Sequence, residues 1–294
     1  MKAIIKLSVL MLVIGAIGSI TFGLLANDAL KDELELTEVT YTYDKTRFST
    51  IDLSFENNPV VILPSETDDI VITFNYDQHE TVTETKTETD LGIKVTSKWY
   101  ERLFFGSMVF NFNMFENRTV YVYLPVAQYS LHVSTSNGAI RLSDLSLGIT
   151  TLRSSNGAIT VKDSSFVGLL KNVTSNGTIS LSNITAQTIE NTTSNGPIIL
   201  DSLTADNIKA SSSNGRISGT NITSDYLTTS TSNGSIDLNI NGAFADFKVK
   251  TRTSNGNVEI NNQSYGNDTY HETKTPFVSA ITSNGDIDLT FSLD

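Results

Sequence analysis

Apolar residues in this chain recur at every second position in short runs, the period of a strand with one buried face. Such runs cover 48–53, 60–63, 70–74, 92–95 and 120–124, the last ending at Pro125. Beyond that proline the alternation becomes serial. The tripeptide Ser-Asn-Gly occurs eight times, with glycines at Gly138, Gly157, Gly177, Gly196, Gly215, Gly234, Gly256 and Gly285. Successive copies are 19, 20, 19, 19, 19, 22 and 29 residues apart, and Thr or Ser precedes each one. Two places after every glycine stands a β-branched aliphatic: Ile140, Ile159, Ile179, Ile198, Ile217, Ile236, Val258 and Ile287. Two places further on the residue is again aliphatic, except at Gly219.

Each position has a physical reading. Asn-Gly takes positive φ readily, so the motif predicts a tight corner, and the alternation after it predicts a strand. Further apolar or small positions, such as Ile184, Ala186 and Ile189 or Leu203, Ala205 and Ile208, predict additional short segments before the next corner. One repeat is then one coil of two or three strands, and coils stack at about 4.8 Å. Stacking buries each coil's Ile beneath the next, worth about 1.5–3 kcal/mol per large aliphatic side chain. No coil is stable alone, which is the logic of a solenoid. The expected stacking order is sequence order, with the Gly285 coil last. Leucine-rich repeats fit less well, because their Asn follows the strand instead of preceding it. The glycine-rich nonapeptide of calcium-binding rolls does not occur.

The expected fold is all-β: a β-solenoid of about eight coils over residues 131–294, preceded by a β-rich membrane-proximal cap over 40–130. A linker covers 27–39, and an N-terminal transmembrane helix covers 1–26. Lys2 and Lys6 precede an uncharged stretch over 7–26, long enough at about 1.5 Å per residue to cross a hydrocarbon core of about 30 Å. Leu24-Leu25-Ala26 lacks the small-x-small pattern of a signal cleavage site. An uncleaved signal anchor is therefore favoured over a cleaved signal peptide. Lysines before the stretch and Asp28, Asp32, Glu33 and Glu35 after it leave the N-terminus cytoplasmic. The expected location is the cell membrane, single-pass, with the bulk of the chain extracellular.

Charge and composition narrow the chemistry. The chain has 294 residues with 20 basic and 32 acidic side chains, a net charge of −12, so a nucleic-acid partner lacks its electrostatic footprint and none is expected. It has no cysteine, which removes disulfides and thiol catalysis, and only three histidines, far apart. No cofactor, metal site or catalytic residue is expected. Stacking places the eight asparagines of the repeats (Asn137 to Asn284) in a ladder that stabilises the turns. Asp144 with Asp163, and Asp206 with Asp225, hold equivalent positions in adjacent coils. Asp237, Glu259 and Asp288 each stand three places after their glycines, on the outward phase, and are the candidate contacts for a cation or ligand. A solvated face is the simpler reading of all these acids. The aromatic stretch from Trp99 to Phe115 reads as packing against the solenoid end, or as an exposed loop contacting membrane or a partner.

With these residues assembled, the layout resembles the putative adhesin family of bacterial envelopes, which includes LiaG-like proteins and has no assigned function. The resemblance rests on the N-terminal anchor, the Asn58-to-Pro64 segment, the run from Val120 to Pro125 and the serial repeats. It covers roughly residues 45–294. It implies a β-helical domain, no known catalysis and an occasional link to envelope-stress gene clusters. Three functions remain open. One is a binding or structural module engaging cell-wall glycan, an envelope protein or a surface ligand. Another is a carbohydrate-active enzyme on a β-helix, which needs convergent carboxylates in a cleft. The third is a passive spacer.

Overall fold

A computed structural model describes residues 36–77, 80–97 and 118–292. The segment 1–26 and the aromatic stretch 99–115 lie outside the described residues. Among the described residues, no helix is long and apolar enough to cross a membrane. The fold is all-β, and every strand belongs to one continuous sheet.

Each regular coil has three short strands, here called faces A, B and C. Strand Ile179–Thr192 pairs in parallel with Ile198–Ser211, matching 179–182 to 198–201 (face B), 184–186 to 203–205 (face C) and 188–192 to 207–211 (face A). Face A leads into the Ser-Asn-Gly corner and face B leaves it. A second corner, six residues after the glycine, separates B from C. The inward rows form one core in which Ile159, Ile179, Ile198, Ile217, Ile236 and Ile287 are fully buried. Gly219, the exception to the aliphatic rule, leaves room that the Ile222 side chain fills.

The reason for glycine in the motif differs from the sequence expectation. Among the described glycines only Gly242 has positive φ. The repeat glycines are required by close approach instead: a Cβ on Gly177, Gly196 or Gly215 would lie 1.8–2.0 Å from the carbonyl oxygen of the preceding coil's glycine. Positive φ sits at the second corner, on Asp144, Asp163, Asn183, Ser202 and Asn221. Asp, Asn and Ser tolerate the left-handed region better than β-branched residues, because a short polar side chain can bond locally.

The stacking order also departs from the sequence. Face A strand Phe277–Ile281 pairs with 226–230, and Ile287–Ser292 pairs with Ile236–Asn241. Strands Lys248–Arg252 and Val258–Ile260 lie on the outer side of these two. The Gly285 coil is therefore inserted between the Gly234 and Gly256 coils, not placed last. The chain runs to the outermost coil first and turns back through Asn261 and Asn262, both at positive φ, as a two-residue hairpin demands. Antiparallel strands Gln263–Tyr265 and Asp268–Tyr270 then close the outer edge, and the last repeat fills the gap. Phe244 packs against Phe291, Tyr265, Tyr270 and His271 at this end.

At the other end the parallel ladder continues into residues before the first Ser-Asn-Gly. Thr50–Ser54 and Val60–Pro64 pair with Ser130–Thr135 and Ile140–Ser143. Asp90–Ser97 and Val120–Leu124 stack beyond them. Antiparallel strands then cover the open edge: Asp69–Tyr76 on Val120–Leu124, Thr37–Asp44 on that, and Glu80–Lys86 on Asp90–Ser97. Both ends of the ladder thus finish in antiparallel strands, which blunts edge-to-edge aggregation. Arg118 pins this end, donating to buried Asp77 at 2.5 Å and to Glu80 at 2.8 Å. The Tyr43 hydroxyl donates to Glu84, and burial together with that carboxylate holds its pKa far above the usual phenol range.

Candidate binding surface

The first corner is built for stability. Asn137 Nδ2 donates to Asn57 Oδ1, and the chain of amides continues through Asn156, Asn176, Asn195, Asn214, Asn233, Asn284 and Asn255, at 2.5–2.8 Å. Each inner amide uses one N–H and its oxygen on its neighbours. The hydroxyl before each motif is also engaged: Thr193 Oγ1 accepts from the Gly196 N–H at 3.2 Å and reaches the Gly177 carbonyl at 3.4 Å. Asn57, in a coil without Ser-Asn-Gly, joins the ladder at its start. It stands three residues before Val60, as each repeat asparagine does before its β-branched residue.

The second corner gathers Asp144, Asp163 and Asn183 around a shallow depression of about 500 Å³ that also touches Pro64, Leu124 and Val126. Asn183 Nδ2 donates to Asp163 Oδ1 at 2.9 Å. Backbone geometry and this amide explain both aspartates. Asp206 and Asp225 lie exposed at the third corner, between faces C and A.

Face B carries the three predicted contacts, and the structure brings them together. Asp237 stands opposite Asp288, and Asp288 opposite Glu259. They form one row, Asp237–Asp288–Glu259, with neighbours about 4.8 Å apart by the coil rise. The inserted Gly285 coil puts Asp288 in the middle. Arg216 Nη2 bonds Asp237 Oδ2 at 2.5 Å, a partner that the repeat spacing did not single out. Its signal was a basic residue directly after Gly215, one coil before Asp237. Desolvation, then repulsion from Asp237, raises the Asp288 pKa above the usual carboxylate value.

A carboxyl whose pKa rises on folding binds protons more tightly in the folded state, so its stability deficit grows as pH climbs through its titration. Asp288→Asn is therefore expected to stabilise the protein at pH 7, by up to about 1 kcal/mol for each of the two relieved cross-strand pairs, and so to raise its melting temperature. The gain should shrink toward pH 4, where the parent carboxyl takes up its proton. Thermal melts of both proteins across pH 4–7 test this, and an unchanged or lowered melting point at pH 7 would refute it.

The row lies along one face of the column. Hydrolysis by paired carboxylates needs acids on both sides of the scissile bond, and the three acids here stand side by side. Among the described residues, no group of three or more His, Cys, Asp or Glu is arranged to hold a metal ion.

The Toastrack DUF4097 family model matches residues 48–290. Among solved structures, a putative adhesin from Parabacteroides merdae shares the fold with TM-score 0.53 and 16% identity, covering 87% of this chain and 96% of its own. A putative adhesin from Bacteroides fragilis aligns with TM-score 0.49 and 13% identity, covering 87% of this chain and 97% of its own. No curated protein matches the chain.

Proposed function

The chain belongs to the Toastrack DUF4097 family, and on that premise we propose that it is a non-enzymatic, adhesin-like binding module of a bacterial cell envelope. In this reading residues 7–26 anchor it in the cell membrane with the N-terminus cytoplasmic, and the solenoid stands outside. Its partner is an envelope protein, a cell-wall glycan or another surface ligand. One observation carries the proposal: the coils stack in parallel register into long outward rows, and Asp237, Asp288 and Glu259 stand along one such row instead of facing one another. Such rows suit an extended partner better than a small substrate, which needs a concave, enclosing site. The Parabacteroides merdae protein of the same fold is described as a putative adhesin, and the proposal extends that role to this chain.

The test is made on intact cells. The protein should sediment with membranes, external protease should remove the region beyond about residue 27, and envelope components should be captured by proximity labelling of the solenoid. Recovery as a soluble species of lower mass would remove the anchor. Labelling confined to cytosolic proteins would remove the envelope role.

A further inference from the structure

The structure sorts charge between the faces of the coils. Between residues 131 and 294 there are 10 basic and 14 acidic side chains. Six of the basic ones, Arg153, Lys171, Lys209, Lys248, Lys250 and Arg252, stand on the outward side of face A, with Glu190 the one acid among them. They fall into adjacent rows. One row runs Asp52, His132, Thr151, Lys171, Glu190, Lys209, Thr228, Ser279, Lys250. The next holds Lys94, Arg153 and Arg252 among serines, a threonine and the apolar Val173 and Ile281. Lys171 pairs with Glu190 at 2.7 Å. Lys94, Arg153, Lys209, Lys250 and Arg252 are exposed, and none has an acidic partner within 4.0 Å among the described residues. The rest of the column from residue 131 onward is strongly acidic.

We propose that face A is the binding face and that its partner is a linear polyanion, a flexible chain carrying repeated phosphate or carboxylate groups. The strip is narrow and, from Lys94 to Arg252, spans ten coils, about 45 Å at the coil rise, with Asp52 and Glu190 the acids in its two rows. Exposed unpaired cations along such a strip exchange their counterions for those of the polymer, which makes binding multivalent and salt-dependent. The shape favours a chain over a flat anionic bilayer, because Asp206 and Asp225 flank the strip at the third corner and would be pressed against a membrane. With a Debye length of about 8 Å at physiological salt, the acidic remainder of the column is largely screened from a chain lying on face A. This inference deepens the binding-module reading and rests on it.

The test uses full-length protein in a nonionic detergent with long-chain inorganic polyphosphate as the probe. Two double variants carry the same change in charge: Lys209→Glu/Lys250→Glu on face A, and Arg141→Glu/Lys162→Glu on face B. Binding in about 0.1 M salt is expected for the parent, with affinity falling steeply as salt rises. The face A variant should bind at least tenfold more weakly, and the face B variant within about threefold of the parent. Tripolyphosphate at equal phosphate concentration should compete at least tenfold less well. Micelles containing phosphatidylglycerol should compete no better than neutral ones. Equal losses in the two variants, no binding by the parent, or preferential competition by the anionic lipid would each overturn the proposal. Polyphosphate binding without envelope capture on cells would sink the envelope reading and leave this one standing. Envelope capture without polyphosphate binding would do the reverse.

Discussion

Gly196→Ala is expected to abolish folding of the solenoid or to lower its melting temperature drastically. The added Cβ would lie 1.8 Å from the Gly177 carbonyl oxygen and 2.5 Å from its carbonyl carbon. Both are backbone atoms of a neighbouring coil, held by the parallel ladder above and below, so no rotamer change relieves the clash. Separating two coils locally breaks the amide ladder and opens the aliphatic row beneath it. A loss above about 4–5 kcal/mol belongs to this class of overpacking, against a total stability of about 5–15 kcal/mol for a domain. Gly266→Ala is the control, because a Cβ there meets nothing within 4 Å. Gly196→Asn separates the two explanations for glycine. If positive φ were the requirement, Asn would be the mildest replacement; because contact is the requirement, Asn should be as damaging as Ala. Circular dichroism melts of the three variants decide between them.

That contrast marks how far the sequence could be read. The corner after each Thr/Ser-Ser-Asn was legible, and so was the inward Ile row, because period and spacing are linear properties of the chain. The cause of the glycine was not, since it depends on how closely the neighbouring coil approaches. The left-handed corner was visible only as a scatter of Asp, Asn and Ser six places after the glycines, residues that also pass for surface polarity. The candidate site was half legible. Equal offsets put Asp237, Glu259 and Asp288 in one row, but their order along it depends on which coil lies between which. The charge of face A escaped entirely. Counted back from the next glycine, Lys171, Lys209 and Lys250 each stand six places before it and Arg153 and Arg252 four, but the forward count from each glycine, which picks out the strand after the corner, scatters them.

The order of the last coils gives the second large effect. Ile198 and Ile287 are both fully buried, Ile198 between Ile179 and Ile217, Ile287 between Ile236 and Val258. Asp at either position places a carboxylate between two aliphatic neighbours with no partner. An uncompensated buried charge costs roughly 3–5 kcal/mol, so both variants should melt far below the parent. Val258 has a coil on one side only; its other neighbour is the half-buried Tyr265 of the short antiparallel strand Gln263–Tyr265, whose Gln263 and Ser264 are exposed. Val258→Asp can therefore open the outermost coil toward water while the rest of the column stays intact, and its penalty should be clearly smaller. A stack built in sequence order requires the opposite ranking, with Val258→Asp severe and Ile287→Asp mild. Thermal melts of the three aspartate variants distinguish the two arrangements. The inserted coil also explains the ranking physically: the outermost coil can fray at an end that the antiparallel hairpin only covers, whereas the last repeat is held on both sides and must open with the column.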